Sequence, residues 1–259
     1  MVSVREDPGL WLLLHVRPPG DRRLDRVGFC SVCGEHGRHV HQGWVLSPEL
    51  ARRWGPALAE RESMFCEHCG ASRRVRRIAE VLVELYGAAA ASLAALVHER
   101  AFRELRIAEI NSIGRMHPFL AAVPGLVHVE YPDEDIQSLS WDDESFDLVL
   151  TSETLEHVPD PRLALRETLR VLRPGGCHVF TVPVDVTLVE SRSRAGLAVE
   201  HHGRGGGPFA LVTRKADMLV HTDFGADLGA LVTAAGFAYE PHGEGLDLVA
   251  VARRPAVTP

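Results

Sequence analysis

The sequence predicts an α/β protein whose main part is a doubly wound, mostly parallel sheet, preceded by a small cysteine-bearing module. Two observations predict this architecture: a strand–helix–strand unit at residues 146–184, and two Cys-x-x-Cys-Gly pairs at 30–34 and 66–70. With 259 residues, the chain is long enough to bury a sizeable core, either as one domain with an appendage or as two small domains.

Local sequence signals predict each element of the strand–helix–strand unit. Phe146–Leu150 is an apolar run without polar alternation, which is typical of a strand buried on both faces of a parallel sheet. Asp160 can cap a helix that Pro161 begins. Three leucines recur at helical spacing and predict the sheet-facing stripe of that helix: Leu165, Leu169 and Leu172. Residues 174–176 (Pro-Gly-Gly) are predicted to end the helix, and 178–184 to form the second strand.

Ligands of such sheets lie outside the carboxyl ends of the strands, so chemistry is expected in the segment Thr151–Pro159. Further strands are predicted at 106–111, 127–130, 237–241 and 246–251. Helices are predicted at 116–122 and 226–235, with two more between Ser72 and Arg103 that break near Gly87.

Four of the five cysteines form the two pairs, and each pair is followed by glycine: Cys30, Cys33, Cys66 and Cys69. Four thiolates suit a closed, tetrahedral structural zinc site, and the glycines permit the turns that bring the sulfurs together. The 32 residues between the pairs exceed the usual spacing of about 15–20, so the insert should form its own small structure. Disulfides are the competing interpretation, disfavoured in a reducing compartment. Local alternatives as ligands are His36, His39, His41 and His68.

The net charge of −7 is unevenly distributed, since residues 1–78 carry a balance of +4 and the remainder −11. The acidic body disfavours broad nucleic-acid binding, although the basic N-terminal part could touch phosphates. No apolar run approaches the roughly 20 residues of a membrane span, and the N-terminus lacks a secretory pattern. We therefore expect a cytoplasmic protein without a membrane partner; its oligomeric state is left open.

Three segments resemble motifs of class I methyltransferases that use S-adenosylmethionine (SAM), of the type 11-like family: residues 146–149, Glu156-His157-Val158 and 172–176. The resemblance implies a Rossmann-like sheet of seven strands that binds SAM and releases S-adenosylhomocysteine. Together with the cysteine pairs, it predicts three parts: a zinc module at 1–77, a helical connector or cofactor cover at 78–104, and a methyltransferase domain at 105–259.

The first strand ends in Glu109-Ile-Asn111-Ser-Ile-Gly114, where the family has an acidic residue followed by G-x-G-x-G. Only Gly114 remains, although some relatives look like E-x-S-S-x-G. A carboxylate at Glu130 suits a ribose diol, because it can accept from both hydroxyls; the alternative is an exposed strand-end charge. The resemblance assigns the cofactor to eight residues: Glu109, Asn111, Gly114, Glu130, Asp135, Ile136, Ser152 and Glu153.

Methyl transfer to a hydroxyl or an ammonium group needs a base that removes the proton, and histidine titrates near neutrality. The candidates are His157, His221 and His202, the last in the Gly-, Arg- and His-rich segment 185–208, which is predicted to be a mobile lid. His157 could instead hold its loop through a hydrogen bond. A carboxylate acceptor would need no base.

Three functions remain open. The first is a methyltransferase for a small molecule or a modified peptide, with O-methylation preferred. The second is a methyltransferase that the zinc module guides to RNA or another macromolecule. The third is a catalytically silent binding protein, motivated by the missing glycines. The sequence lacks the Asp/Asn-Pro-Pro-aromatic motif of base-amino methyltransferases, a deaminase motif and a P-loop. Cys177 begins a predicted core strand and is expected to be packed.

Overall fold

The computed structural model describes residues 25–41, 54, 57–58, 60–197 and 219–256, and every structural statement below concerns these residues. None of the helices within them is both long and apolar enough to cross a membrane. The predicted strand or helix before Pro18, and residues 198–208 of the predicted lid, which include His202, lie outside the described residues.

A small antiparallel sheet carries the cysteine pairs. Its strands pair in the order β1 (Arg26–Phe29), β2 (His36–His41) and β3 (Met64–Cys66). The N–H of Gly34 donates to the carbonyl of Cys30, and that of Gly70 donates to the carbonyl of Cys66, each over 2.8 Å. Gly34 and Gly70 have φ angles of 82° and 74°. This left-handed conformation is the physical reason why glycine follows each pair.

The helical stretch breaks where the sequence predicts. It consists of α1 (Arg73–Tyr86), α2 (Leu93–Leu96) and α3 (Arg100–Arg103). Ser72 caps α1 by accepting from the N–H of Val75, and Gly87 follows its last residue. The predicted boundary between residues 77 and 78 lies inside α1, and the division of the chain into three parts stays a prediction.

The main sheet has six strands in the described residues. The remaining elements are β4 (Ile107–Ile110), α4 (His117–Leu120), β5 (Leu126–Val129), β6 (Phe146–Ser152), α5 (Pro161–Val171), β7 (Leu172–Thr181), β8 (Arg192–Ser193), β9 (Thr222–Asp223), α6 (Leu228–Ala234), β10 (Ala238–His242) and β11 (Val249–Arg253). The order is β10-β11-β7-β6-β4-β5. The strands from β5 to β7 pair in parallel, whereas β11 and β10 form an antiparallel hairpin; β8 and β9 pair separately.

Both faces of the main sheet are covered, which confirms the doubly wound architecture. One buried cluster joins α1, α2 and the cysteine pairs to the sheet residues Ile107 and Leu148. The other joins α5 and α6 to Ala108 and Val149. Because successive side chains of a strand point to opposite faces, Ile107 and Ala108 belong to different clusters. The cysteine pairs are therefore part of the same hydrophobic core as the main sheet.

Two details differ from expectation. Seven strands are predicted for the main sheet, and the described residues form six. Residues 130–145 run through turns between β5 and β6, and they bury only Ile136 and Leu139. Such a polar segment has too little apolar content for a buried strand. In addition, β7 begins at Leu172 rather than at 178, since Leu172 already pairs with Phe146. Cys177 is fully buried, as predicted, and burial raises the pKa of its thiol.

Candidate functional site

The candidate site lies at the carboxyl ends of β4, β5 and β6. From β4 the chain crosses to β5 on one side, and it then returns to β6 on the other side. Ligands of open parallel sheets bind in the crevice at such a reversal of strand order. The loops that begin at Asn111, Glu130 and Glu153 all leave the sheet at this edge.

Glu109 fastens the turn that follows β4. Its side chain is fully buried, and one carboxylate oxygen accepts from the N–H of Ile113 at 2.8 Å. The other oxygen accepts from Nδ1 of His117 at 2.6 Å. Both oxygens thus accept hydrogen bonds from residues after β4, so Glu109 stabilises the turn that borders the crevice.

The turns after β4 and β5 hold each other. Oδ1 of Asn111 accepts from the N–H of Tyr131 at 3.0 Å, and Oε1 of Glu130 accepts from the N–H of Ser112 at 2.9 Å. Asn111 has a φ of 59°, in the left-handed region that asparagine tolerates better than most residues. Asparagine can therefore keep a turn for which the family uses glycine. Gly114 has a φ of 53°, and a Cβ there would meet no atom within 4 Å.

The predicted adenine contacts lie in the turns between β5 and β6. Oδ1 of Asp135 accepts from the N–H of Gln137 at 2.9 Å, which makes a local turn. Ile136 is buried in the core that contains Phe146, with only 3% of its surface exposed. These turns follow Glu130 directly in the chain, and Asp135 lies five positions after the predicted ribose contact.

Ser152 and Glu153, at the end of β6, are engaged by arginines. Oγ of Ser152 contacts the guanidinium of Arg74 and lies 2.8 Å from Oγ1 of Thr181. Glu153 has a left-handed φ of 51° and accepts from Arg61 at 2.7 Å.

These contacts belong to an ionic cluster, the closed network, formed by Arg61, Glu62, Arg74, Ser152 and Glu153. Arg61 and Arg74 both bind Glu62, at 2.6 Å and 2.8 Å. Burial works against the charge of Arg61, yet Glu153 and Glu62 raise the pKa of its guanidinium above the ordinary value. Sequence reasoning missed Arg61, Glu62 and Arg74; the polar run Arg61-Glu62-Ser63 within the insert between the cysteine pairs is the signal that could have raised the question.

Two of the candidate catalytic histidines contact Glu156, His157 through its side chain and His221 through its backbone. Nδ1 of His157 donates to the carbonyl of Leu219 at 2.9 Å, and its Nε2 lies 3.7 Å from Oε1 of Glu156. The N–H of His221 donates to the carbonyl of Glu156 at 2.7 Å. Glu156 is fully buried, and burial, followed by the nearby charge of Glu153, raises the pKa of its carboxyl group well above its usual range.

A cavity of about 380 Å³ adjoins His221. It lies between two described segments, Ser193–Leu197 and Leu219–His221, with Pro159 as part of its wall. His221 therefore lines a space that is large enough for a small molecule.

The four predicted zinc ligands converge. Sγ of Cys30 lies 3.7 Å from Sγ of Cys69, and Sγ of Cys33 lies 3.8 Å from Sγ of Cys66. All four cysteines are free rather than disulfide-bonded, and their sulfurs lie within 4.8 Å of one another. None of the neighbouring histidines joins this cluster in the described residues.

Residues 87–180 match the family model described as "Methyltransferase domain". This part of the chain is therefore similar to a methyltransferase domain. The match begins directly after α1 and ends within β7, so it includes the crossover unit and the turns that build the crevice.

Short stretches of the chain resemble curated methyltransferases. A demethylmenaquinone methyltransferase of Clavibacter sepedonicus is 47% identical over 60 residues, which cover 22% of this chain and 24% of that protein. A ubiquinone biosynthesis O-methyltransferase of Coxiella burnetii is 36% identical over 55 residues, which cover 21% and 24%. The chain thus spans about a quarter of the length of the curated relatives that it matches.

Among solved structures, a Burkholderia thailandensis 1,6-didemethyltoxoflavin-N1-methyltransferase resembles the chain with a TM-score of 0.39 and 18% identity. The superposition covers 63% of this chain and 76% of that one.

Proposed function

We propose that the protein is a SAM-dependent methyltransferase that acts on a small molecule or a modified peptide, with O-methylation as the preferred reaction. One observation carries the proposal: within the methyltransferase domain, the turn Asn111–Gly114 and the carboxylate of Glu130 converge where the strand order reverses. The curated relatives include proteins named as O-methyltransferases and as C-methyltransferases, so the type of acceptor atom belongs to the proposal.

The residues present fit the cofactor. Bound SAM supplies an electrophilic methyl carbon on a sulfonium. The open space around Gly114 lets the backbone of the turn approach the cofactor closely. The half-exposed carboxylate of Glu130 can accept from the two ribose hydroxyls. Asp135 would accept from the adenine amino group, and the backbone N–H of Ile136 would donate to the ring.

The acceptor is proposed to enter the cavity beside His221. Because a carbonyl can only accept, Nδ1 of His157 carries the hydrogen that it shares with Leu219, and Nε2 is left as the proton acceptor. That nitrogen points to the buried Glu156, which suits a role in holding the loop. His221 lines the cavity and is the preferred base for removing a hydroxyl proton. The third candidate, His202, keeps its proposed role in the segment outside the described residues.

We infer that the four cysteines bind a structural Zn²⁺. Zinc–sulfur bonds of about 2.3 Å in a tetrahedron separate the sulfurs by about 3.8 Å, which agrees with the two distances of 3.7 Å and 3.8 Å. A disulfide would require about 2.05 Å. Burial raises the pKa of the Cys33 thiol to about 11, and a bound cation would favour its thiolate form instead. Four thiolates leave no open position, so the ion is assigned a structural role.

Calorimetry with SAM and with S-adenosylhomocysteine tests the enzyme proposal. We expect both to bind, and we expect radiolabelled SAM to transfer its methyl group to hydroxyl-bearing small molecules. Binding of neither nucleoside would contradict the proposal and would favour a silent binding protein.

A second experiment separates the macromolecular alternative, which the basic N-terminal part motivates. RNA binding that weakens steeply with salt, and that disappears when Cys66 and Cys69 are both replaced by Ser, would favour it. We expect no RNA binding even at low salt.

A further inference from the structure

We propose that Glu109, His117 and His128 form a binding site for a divalent transition-metal ion, separate from the four-cysteine cluster. Each residue offers one ligand atom, and the three atoms lie within 4.8 Å of one another. The proposal does not rest on SAM binding or on methyl transfer, because it uses only the chemistry of these three side chains.

The fold brings the three side chains to one face of the main sheet. In the parallel pairing of β4 with β5, Glu109 lies opposite His128, so both side chains point to the same face. The chain then turns back after β4, and α4 begins at His117. The rings of His117 and His128 consequently lie 4.4 Å apart between centroids, tilted by 46°.

The buried charge of Glu109 also favours a cation at this position. Glu109 is fully buried, and a buried carboxylate is costly unless it is paired with a positive charge. Within the described residues no arginine or lysine forms an ion pair with Glu109, and its only ionisable partner is His117. A second carboxylate stands close by, since Oε1 of Glu130 lies 3.1 Å from Nε2 of His128. A divalent cation would compensate both.

The donor set indicates the class of ion. Two imidazoles and one carboxylate suit Zn²⁺, Fe²⁺ or Co²⁺ better than Mg²⁺ or Ca²⁺, which prefer oxygen ligands. The ion would take the place of the hydrogen that Nδ1 of His117 now donates to Glu109. Three protein ligands leave coordination positions open, in contrast to the closed set of four sulfurs.

Binding would also fasten the crevice. Glu109 lies in β4, His117 begins α4 and His128 lies in β5, so the ion would join the residues on either side of the turn that contains Asn111 and Gly114 to the neighbouring strand. The turn would then be held by the metal and by the remaining hydrogen bond from the N–H of Ile113 to Glu109.

Cobalt titration of full-length protein whose cysteine cluster already holds one Zn²⁺ tests the site. We expect a second ion to bind, with visible d–d absorption and without the near-ultraviolet charge transfer of a cobalt–thiolate bond. His128→Ala should weaken this binding more than about tenfold. His128 is exposed, so the variant should keep its fold, which circular dichroism and melting verify. His98→Ala, an exposed histidine away from the cluster, is the matched control and should bind as the unaltered protein does.

Two results would overturn the proposal. One is that Co²⁺ binds to the unaltered protein only with the thiolate signature, or not at all. The other is that His128→Ala and His117→Ala both keep the affinity of the His98→Ala control. Glu109→Gln extends the test: it should lose the second ion while the elemental zinc content stays at one per chain, which shows that the cysteine cluster is intact.

Discussion

Two sides of the same sheet edge are built differently. After β4 and β5, the polar groups of Asn111 and Glu130 hold backbone N–H groups, and Glu130 keeps half of its side chain exposed. After β6, the closed network pairs Glu153 with Arg61, which is 1% exposed. The first side is available to a ligand, whereas the second is already satisfied by ion pairs. A residue such as Glu153 can thus lie at the ligand-binding edge of the sheet and still form an ion pair within the protein.

The closed side depends on the cysteine pairs. Arg61 and Glu62 lie just before β3, which ends at Cys66, and Arg76 of α1 donates to the carbonyls of Met64 and Ala71 at 2.9 Å. A metal at the four cysteines would therefore hold in place the segment that supplies the arginines.

The largest effect is expected from removing the zinc. Cys66→Ser should lower the melting temperature and expose α1 and the closed network to hydrogen exchange, because structural zinc is worth about 10–16 kcal/mol in isolated zinc-finger peptides. Cys177→Ser is the control: it is equally buried, but its sulfur contacts Tyr86 and not the cluster. Equal losses of stability in the two variants would refute a structural zinc.

Breaking the closed network should lower the free energy of unfolding by less than zinc removal does, but still by several kcal/mol. Arg61→Met keeps the apolar stem and leaves Glu62 and Glu153 without that partner, so we expect a loss of about 3–5 kcal/mol in the free energy of unfolding. The control is Arg100→Met, whose pair with Glu104 leaves 91% of the arginine side chain exposed and should be worth less than about 1 kcal/mol. Denaturant unfolding measures both. Similar losses would mean that the network does not hold the site together.

The same contrast explains what the sequence could predict. The crossover unit was predictable because its signals are local: Asp160 does cap α5, accepting from the N–H groups of Arg162 and Leu163. The cysteine cluster was predictable because the spacing within each cysteine pair, and the glycine that follows it, are local signals as well. The closed network was not, because Arg61 and Glu153 are 92 positions apart and no periodicity joins them.

Two further features required the backbone. The sequence shows that asparagine replaces a family glycine at position 111, but only the φ of 59° shows that the turn survives the replacement. The approach of His117 to His128 depends on the register of β4 with β5 and on where α4 begins, and local patterns fix neither.

On the open side, Glu130→Ala should weaken SAM binding by about 1–3 kcal/mol, through the loss of a charge-assisted hydrogen bond to the ribose. Calorimetry measures the change, and Glu104→Ala, an exposed carboxylate on a distant turn, should leave the affinity unaltered. An unchanged affinity in Glu130→Ala would show that the ribose is held elsewhere, and the contrast between an open and a closed side would lose its functional meaning.

The smallest effect concerns pH and Glu156, which lies between the closed network and the cavity. Burial raises the pKa of its carboxyl group in the folded protein, so the folded state keeps a proton that the unfolded chain has lost. Stability should therefore fall as pH rises from the unfolded pKa of about 4.3 through the raised value. Glu156→Gln removes this dependence without changing the shape of the side chain. Its melting temperature relative to the unaltered protein should rise as the pH increases above the unfolded pKa of about 4.3. A difference that stays constant with pH would mean that the arginines keep Glu156 ionised, and the closed network would then extend to the cavity.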